Sequence, residues 1–325
     1  MIKNQILHLS NSKISYVLKI MRSGELGQLY YGQRLFGQDL NYLYYEKDIP
    51  TVCVYEKEQQ YSMSNMRQEY SSFGGTDFSV ASYNIEQENG STLTEFRFKD
   101  FKILNEKPKI PQLPQAKGES KTLKIILEDS LIQANLELYY SIFEDSSCII
   151  RSTRFINLGE QKLFLNKAMS FQLDFDDLDF KILQLDGAWA RERNINYRDV
   201  KQGRSIIEST MGASSHVQNP FLCLLKGNAD ENQGQVYAAS LIYSGSFIAS
   251  VDVASHERVR MTMGIHPQNF KWELSKAQDF WTPEVVLNYS PSGLNRLSQD
   301  FHQFIRKHIM PLEKNLKRTK FLTNN

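Results

Sequence analysis

The sequence predicts an all-β chain, a large antiparallel β-sandwich with one helical connector near its C-terminal end. Three observations carry that expectation. Apolar residues recur at every second position through many short runs. Those runs are rich in β-branched and aromatic residues and are separated by turn-forming residues. Helical spacing is found once, close to the C-terminus. Strand after strand with no helical period is the pattern of stacked antiparallel sheets. About twenty strands in two broad sheets exceed the usual sheet size, so the sheets are expected to curl or bend.

The elements follow in order. Residues 5–35 alternate through Ile6, Leu7 and Leu9, then Ile14, Tyr16, Leu18 and Ile20, with Gly24 and Gly27 as punctuation before Leu29. Asn89-Gly90 sits between SVASYNIEQ and STLTEFRFKD. It predicts a hairpin whose turn has positive φ at both central residues. Residues 105–118, NEKPKIPQLPQAKG, hold three prolines and read as an extended surface connection within one sheet system. LKIILED, ANLELYYSIFED, CIIRSTRFINLG and KLFLNKAMSFQLDFD then resume the strand pattern. PFLCLLKG, QVYAASLIYSG, FIASVDVAS, RVRMTMGI and EVVLNYS form a second such set. Leu294, Leu297, Phe301, Phe304, Ile305 and His308 share one helical face, with Ser292 as the candidate cap and an end before Pro311. The division expected is residues 1–290 as the sandwich and 291–325 as a connector.

Bulk composition excludes several classes. A net charge of +1 over 325 residues lacks the concentrated basic face that nucleic acid requires. Apolar content of 41%, with 12% aromatics, suffices for a sizeable core and argues against disorder. No apolar run has the length to span a bilayer, and the first twenty or so residues carry no small-residue cleavage site. Cys53, Cys148 and Cys223 are widely spaced, with neither CxxC nor zinc spacing, which fits buried thiols in a reducing, cytoplasmic setting. No cofactor is expected.

The stretch from Leu185 to Phe221, LDGAWARERNINYRDVKQGRSIIESTMGASSHVQNPF, departs from this regularity. It reads as a long connection between two sheet edges, and long ordered connections commonly carry function. Its GAWARER and GASSHVQNPF segments resemble those of the N-terminal domain of bacterial alpha-galactosidases in glycoside hydrolase family 36. Leu29-Tyr30-Tyr31-Gly32, Gln68-Glu69-Tyr70 through Thr76-Asp77-Phe78, Tyr243-Ser244-Gly245, Met263-Gly264-Ile265 and Thr282-Pro283-Glu284-Val285 fall in the family's order as well. The resemblance runs from Tyr16 to His308. It implies a non-catalytic domain of an enzyme that removes terminal alpha-linked galactose from oligosaccharides such as melibiose and raffinose, with retention. It also implies a catalytic barrel as partner, galactosides as ligands, and a homo-oligomer. KFLTNN resembles the end of the family's first barrel strand. A retaining glycosidase needs two carboxyl groups about 5 Å apart, and the resemblance places both beyond residue 325, so no catalytic residue is assigned here. The alternative is a stand-alone carbohydrate-binding or mutarotase-like sandwich.

Individual candidates follow. Trp189 is the tryptophan best placed for a sugar face, while Trp272 and Trp281 read as core. Arg191, Glu192 and Arg193 could bind a sugar or a carboxylate, but ion pairing across a domain boundary is favoured, because charge pairs fix register at interfaces. The loop from Asp39 to Phe78 is long and tyrosine-rich. By resemblance, Asp48 is the residue carried over to a neighbouring subunit's substrate site; packing within the chain is the other reading of that loop. Asp174, Asp176, Asp177 and Asp179 read as solvated carboxylates at a hairpin tip rather than calcium ligands. His216 reads as a hydrogen-bonded structural histidine. Lys99-Asp100-Phe101 falls within a hairpin and carries no chemistry.

Overall fold

The computed structural model describes residues 5–37, 39–46, 53–55, 61–254 and 257–310. Its described residues form nineteen strands in three antiparallel sheets, where two sheets were expected. β1 (Ile6–Ser10), β2 (Ile14–Ile20) and β3 (Leu26–Gln33) make a three-stranded sheet. The ten-stranded sheet runs β11 (Arg191–Asp199), β10 (Phe180–Ala188), β13 (Gln218–Lys226), β14 (Val236–Leu241), β19 (Val285–Ser290), β8 (Cys148–Asn157), β7 (Ala134–Ile142), β6 (Lys121–Asp129), β5 (Arg97–Leu104). A further short strand, β18 (Asp279–Trp281), also pairs with β8. The six-stranded sheet runs β12 (Gly203–Ser209), β15 (Phe247–Val253), β16 (Val259–Ile265), β9 (Leu163–Phe175), β17 (Trp272–Leu274), and β4 (Tyr83–Gln87) also pairs with β9. The third sheet arises because, among the described residues, β1, β2 and β3 take their ladder partners from one another, apart from an isolated bridge between Gly27 and Gln68.

Why the strands read as they do follows from what covers them. In β2, Ile14, Tyr16, Leu18 and Ile20 face the main core, while Val17 lies under Leu40, with Leu35 and Leu43 against it. In β13, Leu222 and Leu224 join the main core. Cys223 and Leu225 point the other way, into a second cluster built on the helix α1 (Gly293–Phe304). A strand buried on both faces has no reason to alternate, and the unbroken run FLCLL is the result. The helix lays Leu294, Leu297, Phe301 and Phe304 onto Cys148, Val286 and Ala238. Each such fully buried side chain contributes about 1.5–3 kcal/mol. Cys148 and Cys223 are buried and form no disulfide.

Several expectations are corrected. Asn89-Gly90 does form a turn, with Gly90 at φ 82 and the Gln87 amide bonded to the Ser91 carbonyl at 2.9 Å, but Asn89 does not share the positive φ. The flanking strands part company: β4 joins β9 in one sheet, β5 joins β6 in the other. Ser292 makes no side-chain cap. The amides of Gly293, Leu294 and Asn295 bond instead to the carbonyls of Gly234, Asp230 and Glu231. Gly293 has φ 75, and a Cβ there would lie 2.4 Å from the Asp230 carbonyl oxygen, so only glycine fits. The proline-bearing stretch joins adjacent strands of one sheet, as read from the sequence, and buries Ile110 and Ala116 on the way. The tail, including KFLTNN, lies outside the described residues.

Candidate functional site

The stretch from Leu185 to Phe221 is not a long loop. Most of it is strand: the end of β10, all of β11 and β12, and the start of β13. Composition misled because β11 is an edge strand whose nine residues are all exposed and which, among the described residues, pairs only with β10. The β10–β11 turn carries Trp189, 87% exposed, and Ala190 at φ 62. Gly187 is pressed between two segments of backbone. A Cβ there would lie 2.7 Å from the carbonyl oxygens of both Arg191 and His216.

Register assigns the faces of this hairpin. Tyr197 lies opposite Leu183 and Ile195 opposite Leu185, and Leu183 belongs to the cluster beneath α1. Side chains directly opposite one another share a face. The apolar face that α1 covers therefore continues through Leu183 and Leu185 to Ile195 and Tyr197, which are 55% and 51% exposed at the sheet edge. An exposed edge strand with apolar residues on one face invites a partner. Arg191, Glu192 and Arg193 begin this strand. All three are exposed, and none forms an ion pair with a described residue; Glu192 accepts only the Ala190 amide, at 3.0 Å. His216 is exposed and makes no side-chain hydrogen bond to a described residue, contrary to expectation, because residues 211–217 cross the surface. Trp272 was expected in the core. It is 49% exposed, at the outer end of a three-residue edge strand, with its ring 5.3 Å from that of Phe280. Trp281 is half-buried between Tyr139, at 4.9 Å, and Arg154, at 5.2 Å.

Asp48 lies outside the described residues. The described parts of its loop explain the tyrosines. Tyr44 lies under the Lys19 ammonium at 3.4 Å, Tyr61 under the Arg22 guanidinium at 4.1 Å, and Tyr55 stacks on Tyr61 at 5.9 Å. Such contacts fasten an aromatic segment to cationic neighbours. Tyr42 and Tyr45 remain exposed.

The end of this loop is held by charges that sequence reasoning passed over. Arg258 donates from Nη1 to the carbonyls of Met63, Ser64 and Met66 at 3.2, 3.0 and 2.9 Å, and from Nη2 to Asp77 at 3.1 Å and the Ser79 hydroxyl at 2.8 Å. Arg260 grips Asp174 with two bonds, Nε at 2.9 Å and Nη2 at 3.0 Å, and donates to Ser71 and the Val80 carbonyl. Asp174 was expected at a solvated tip. It is fully buried, because its side chain points from β9 under residues 68–80 and accepts the Gln68 amide at 2.9 Å. Burial pushes the Asp77 carboxyl up, but Arg260 and Arg258 outweigh that and hold it below the usual range. The two arginines alternate along β16, Arg258 just before it and Arg260 within it; that spacing was the available signal.

Glu69 enters the main core from the same segment. It pairs with Arg151 at 2.5 Å, both without solvent exposure, and accepts the hydroxyls of Tyr16 and Tyr140 at 2.8 and 2.9 Å. Burial lifts its carboxyl to about 7, with Arg151 and the two hydroxyls pulling the other way. Among the described residues no group of three or more His, Cys, Asp or Glu could hold a metal, and no helix is long and apolar enough to cross a membrane.

Comparison with known proteins identifies this architecture. Residues 24–275 match the model of the glycosyl hydrolase family 36 N-terminal domain. Alpha-galactosidase AgaA of Geobacillus stearothermophilus is 39% identical over 318 residues, which cover 93% of this chain and 42% of that protein. Alpha-galactosidase Mel36A of Lactobacillus acidophilus is 34% identical over 314 residues, 95% of this chain and 43% of that protein. The crystal structure of a doubly substituted AgaA in complex with raffinose superposes with a TM-score of 0.90 over 94% of this chain and 43% of its own. The chain thus spans under half the length of these relatives. From fold, motifs and match together, the chain belongs to glycosyl hydrolase family 36, as its N-terminal domain.

Proposed function

We propose that this chain serves as the non-catalytic N-terminal domain of an alpha-galactosidase, a retaining enzyme that releases terminal alpha-galactosyl residues from oligosaccharides such as melibiose and raffinose. The observation that carries this reading is the 39% identity to AgaA across 93% of the chain, on a region covering only 42% of that enzyme. Residues 1–290 are the sandwich and 291–325 the connector to a catalytic barrel. The apolar edge formed by Ile195 and Tyr197, beside α1, is the surface that meets the rest of the enzyme. Arg191, Glu192 and Arg193 supply its charge pairing. Trp189 and Asp48 are assigned to the substrate entrance, Asp48 in a homo-oligomer. The buried thiols Cys148 and Cys223 support a cytoplasmic setting.

The test is turnover of a chromogenic alpha-galactoside. The purified 325-residue chain should give none. The same residues in one polypeptide with a family 36 catalytic barrel should be active. Activity of the chain alone, or inactivity of a folded fusion, overturns the proposal.

A further inference from the structure

An Asn or Asp side chain can be attacked at its carbonyl carbon by the next residue's amide nitrogen, closing a five-membered imide. A following glycine, with no Cβ, hinders that attack least. The sequence holds one Asn-Gly pair, Asn89-Gly90, and one Asp-Gly pair, Asp186-Gly187, with Asn11-Ser12 the next least hindered. The fold treats the three differently. Asn11 is buried and its carboxamide is tied at both ends. It donates to the Phe143 and Ser146 carbonyls at 2.6 and 2.8 Å and accepts the Lys13 and Ile14 amides, each at 2.9 Å. Asp186 accepts from Gln184 and Asn196 at 2.5 and 2.8 Å. The Gly187 amide is bonded to the Val217 carbonyl at 3.0 Å, within the crowded backbone already described.

Asn89 and Gly90 are exposed, and beyond the chain neighbours no atom lies within 4 Å of the place a Gly90 Cβ would take. Asn89 Oδ1 accepts the Ser91 amide at 2.9 Å, which folds the carboxamide over the Gly90 peptide. The same donor stabilises the negative charge that develops on Oδ1 when Cγ is attacked. To attack, the Gly90 nitrogen gives up one hydrogen bond, to the Gln87 carbonyl at 2.9 Å. Opening of this kind costs least at an exposed turn. We propose that Asn89 is a site of spontaneous deamidation. The Gly90 nitrogen bonds to Asn89 Cγ, and its proton leaves with the side-chain NH2 as ammonia. Water then opens the imide. Breaking the bond from nitrogen to Cγ leaves aspartate. Breaking the bond from nitrogen to the main-chain carbonyl carbon leaves isoaspartate, with the main chain rerouted through Cβ and Cγ. Nothing is oxidised or reduced. Either product adds one negative charge, taking the formal net charge from +1 to 0. Isoaspartate also adds one carbon to the link between β4 and β5, which lie in different sheets. The inference concerns the chain's own chemistry and does not rest on the enzymatic reading.

The experiment holds the 325-residue chain in warm, mildly alkaline buffer, with its amide spectrum followed throughout to establish that it stays folded. Synthetic peptides spanning residues 7–16, 85–94 and 182–191 run beside it as unstructured clocks. Peptide mapping by mass reads conversion of amide to acid, and enzymatic methylation reads isoaspartate. Asn89 in the folded chain should convert within about tenfold of its peptide's rate, while Asn11 and Asp186 should be slowed by more than about tenfold against theirs. Denaturant should bring all three to the peptide rates. Asn89→Ser, a surface change, should remove the isoaspartate signal from the folded chain. Slowing of Asn89 by more than about tenfold, Asn11 or Asp186 keeping pace with its peptide in the folded chain, or a signal that survives Asn89→Ser overturns the proposal.

Discussion

Two regions of the molecule treat charge in opposite ways. Residues 61–80 bring Glu69 and Asp77 into the interior, where Arg151 meets the first and Arg258 and Arg260 the second as buried ion pairs. The β10–β11 hairpin holds Arg191, Glu192 and Arg193 in solvent without a described ionic partner and exposes Trp189, Ile195 and Tyr197 beside them. In the first region every ordered charge is answered within the chain. In the second, both the apolar and the charged groups await an answer from outside. A buried charge that loses its partner is strongly destabilising, so a clamped segment and an open edge are recognisable by their partners rather than by their composition.

That contrast can be broken experimentally. The largest effect is expected from removing one side of a buried pair. Arg260→Ala or Glu69→Ala should each cost about 3–5 kcal/mol in denaturant-induced unfolding, because the remaining charge stays buried. A loss similar to that of a surface substitution would show that the segment is not clamped. Phe301→Ala, beneath the helix, should cost about 3 kcal/mol through a cavity that the sheet cannot close.

Smaller effects sharpen the comparison. Gly187→Ala should cost about 1–3 kcal/mol, since a methyl group would collide with two backbone carbonyls. Acid should weaken the clamp. The Asp77 carboxyl is depressed in the folded chain, so its contribution is complete above the ordinary carboxylate range and is lost as pH falls through its lowered value. Stability measured across the acid range should therefore fall less steeply in Asp77→Asn than in the parent. The smallest change is expected at the hairpin tip. Trp189→Ala should alter the stability of this chain by about 0.5 kcal/mol or less. A loss of several kcal/mol would mean that Trp189 is a structural residue after all.

Much of the fold was legible because it was written in apolar side chains. The alternation in β2 and β9, the helix face from Leu294 to Phe304, and the unbroken apolar run of β13 all report what lies opposite them. β11 was not legible, because RERNINYRD pairs through its backbone and leaves its side chains in water. The hairpin inferred from Asn89-Gly90 failed for a different reason: a turn dictates a reversal of direction, not that the strands leaving it stay together. The buried clamp was hidden because an arginine carries no mark of its burial, and its partners are distant in sequence. Trp189 lies exposed on its turn, while Asp174, expected at a solvated tip, is buried.

The first turn of α1 is bolted to residues 230–234, the reversal between β13 and β14, through three backbone hydrogen bonds and a glycine no other residue can replace. The bearing on which the polypeptide departs is thus inherited from the middle of the ten-stranded sheet and not from the helix's own ends. Any tilt imposed on that helix from outside would be felt first as a twist between those two central strands.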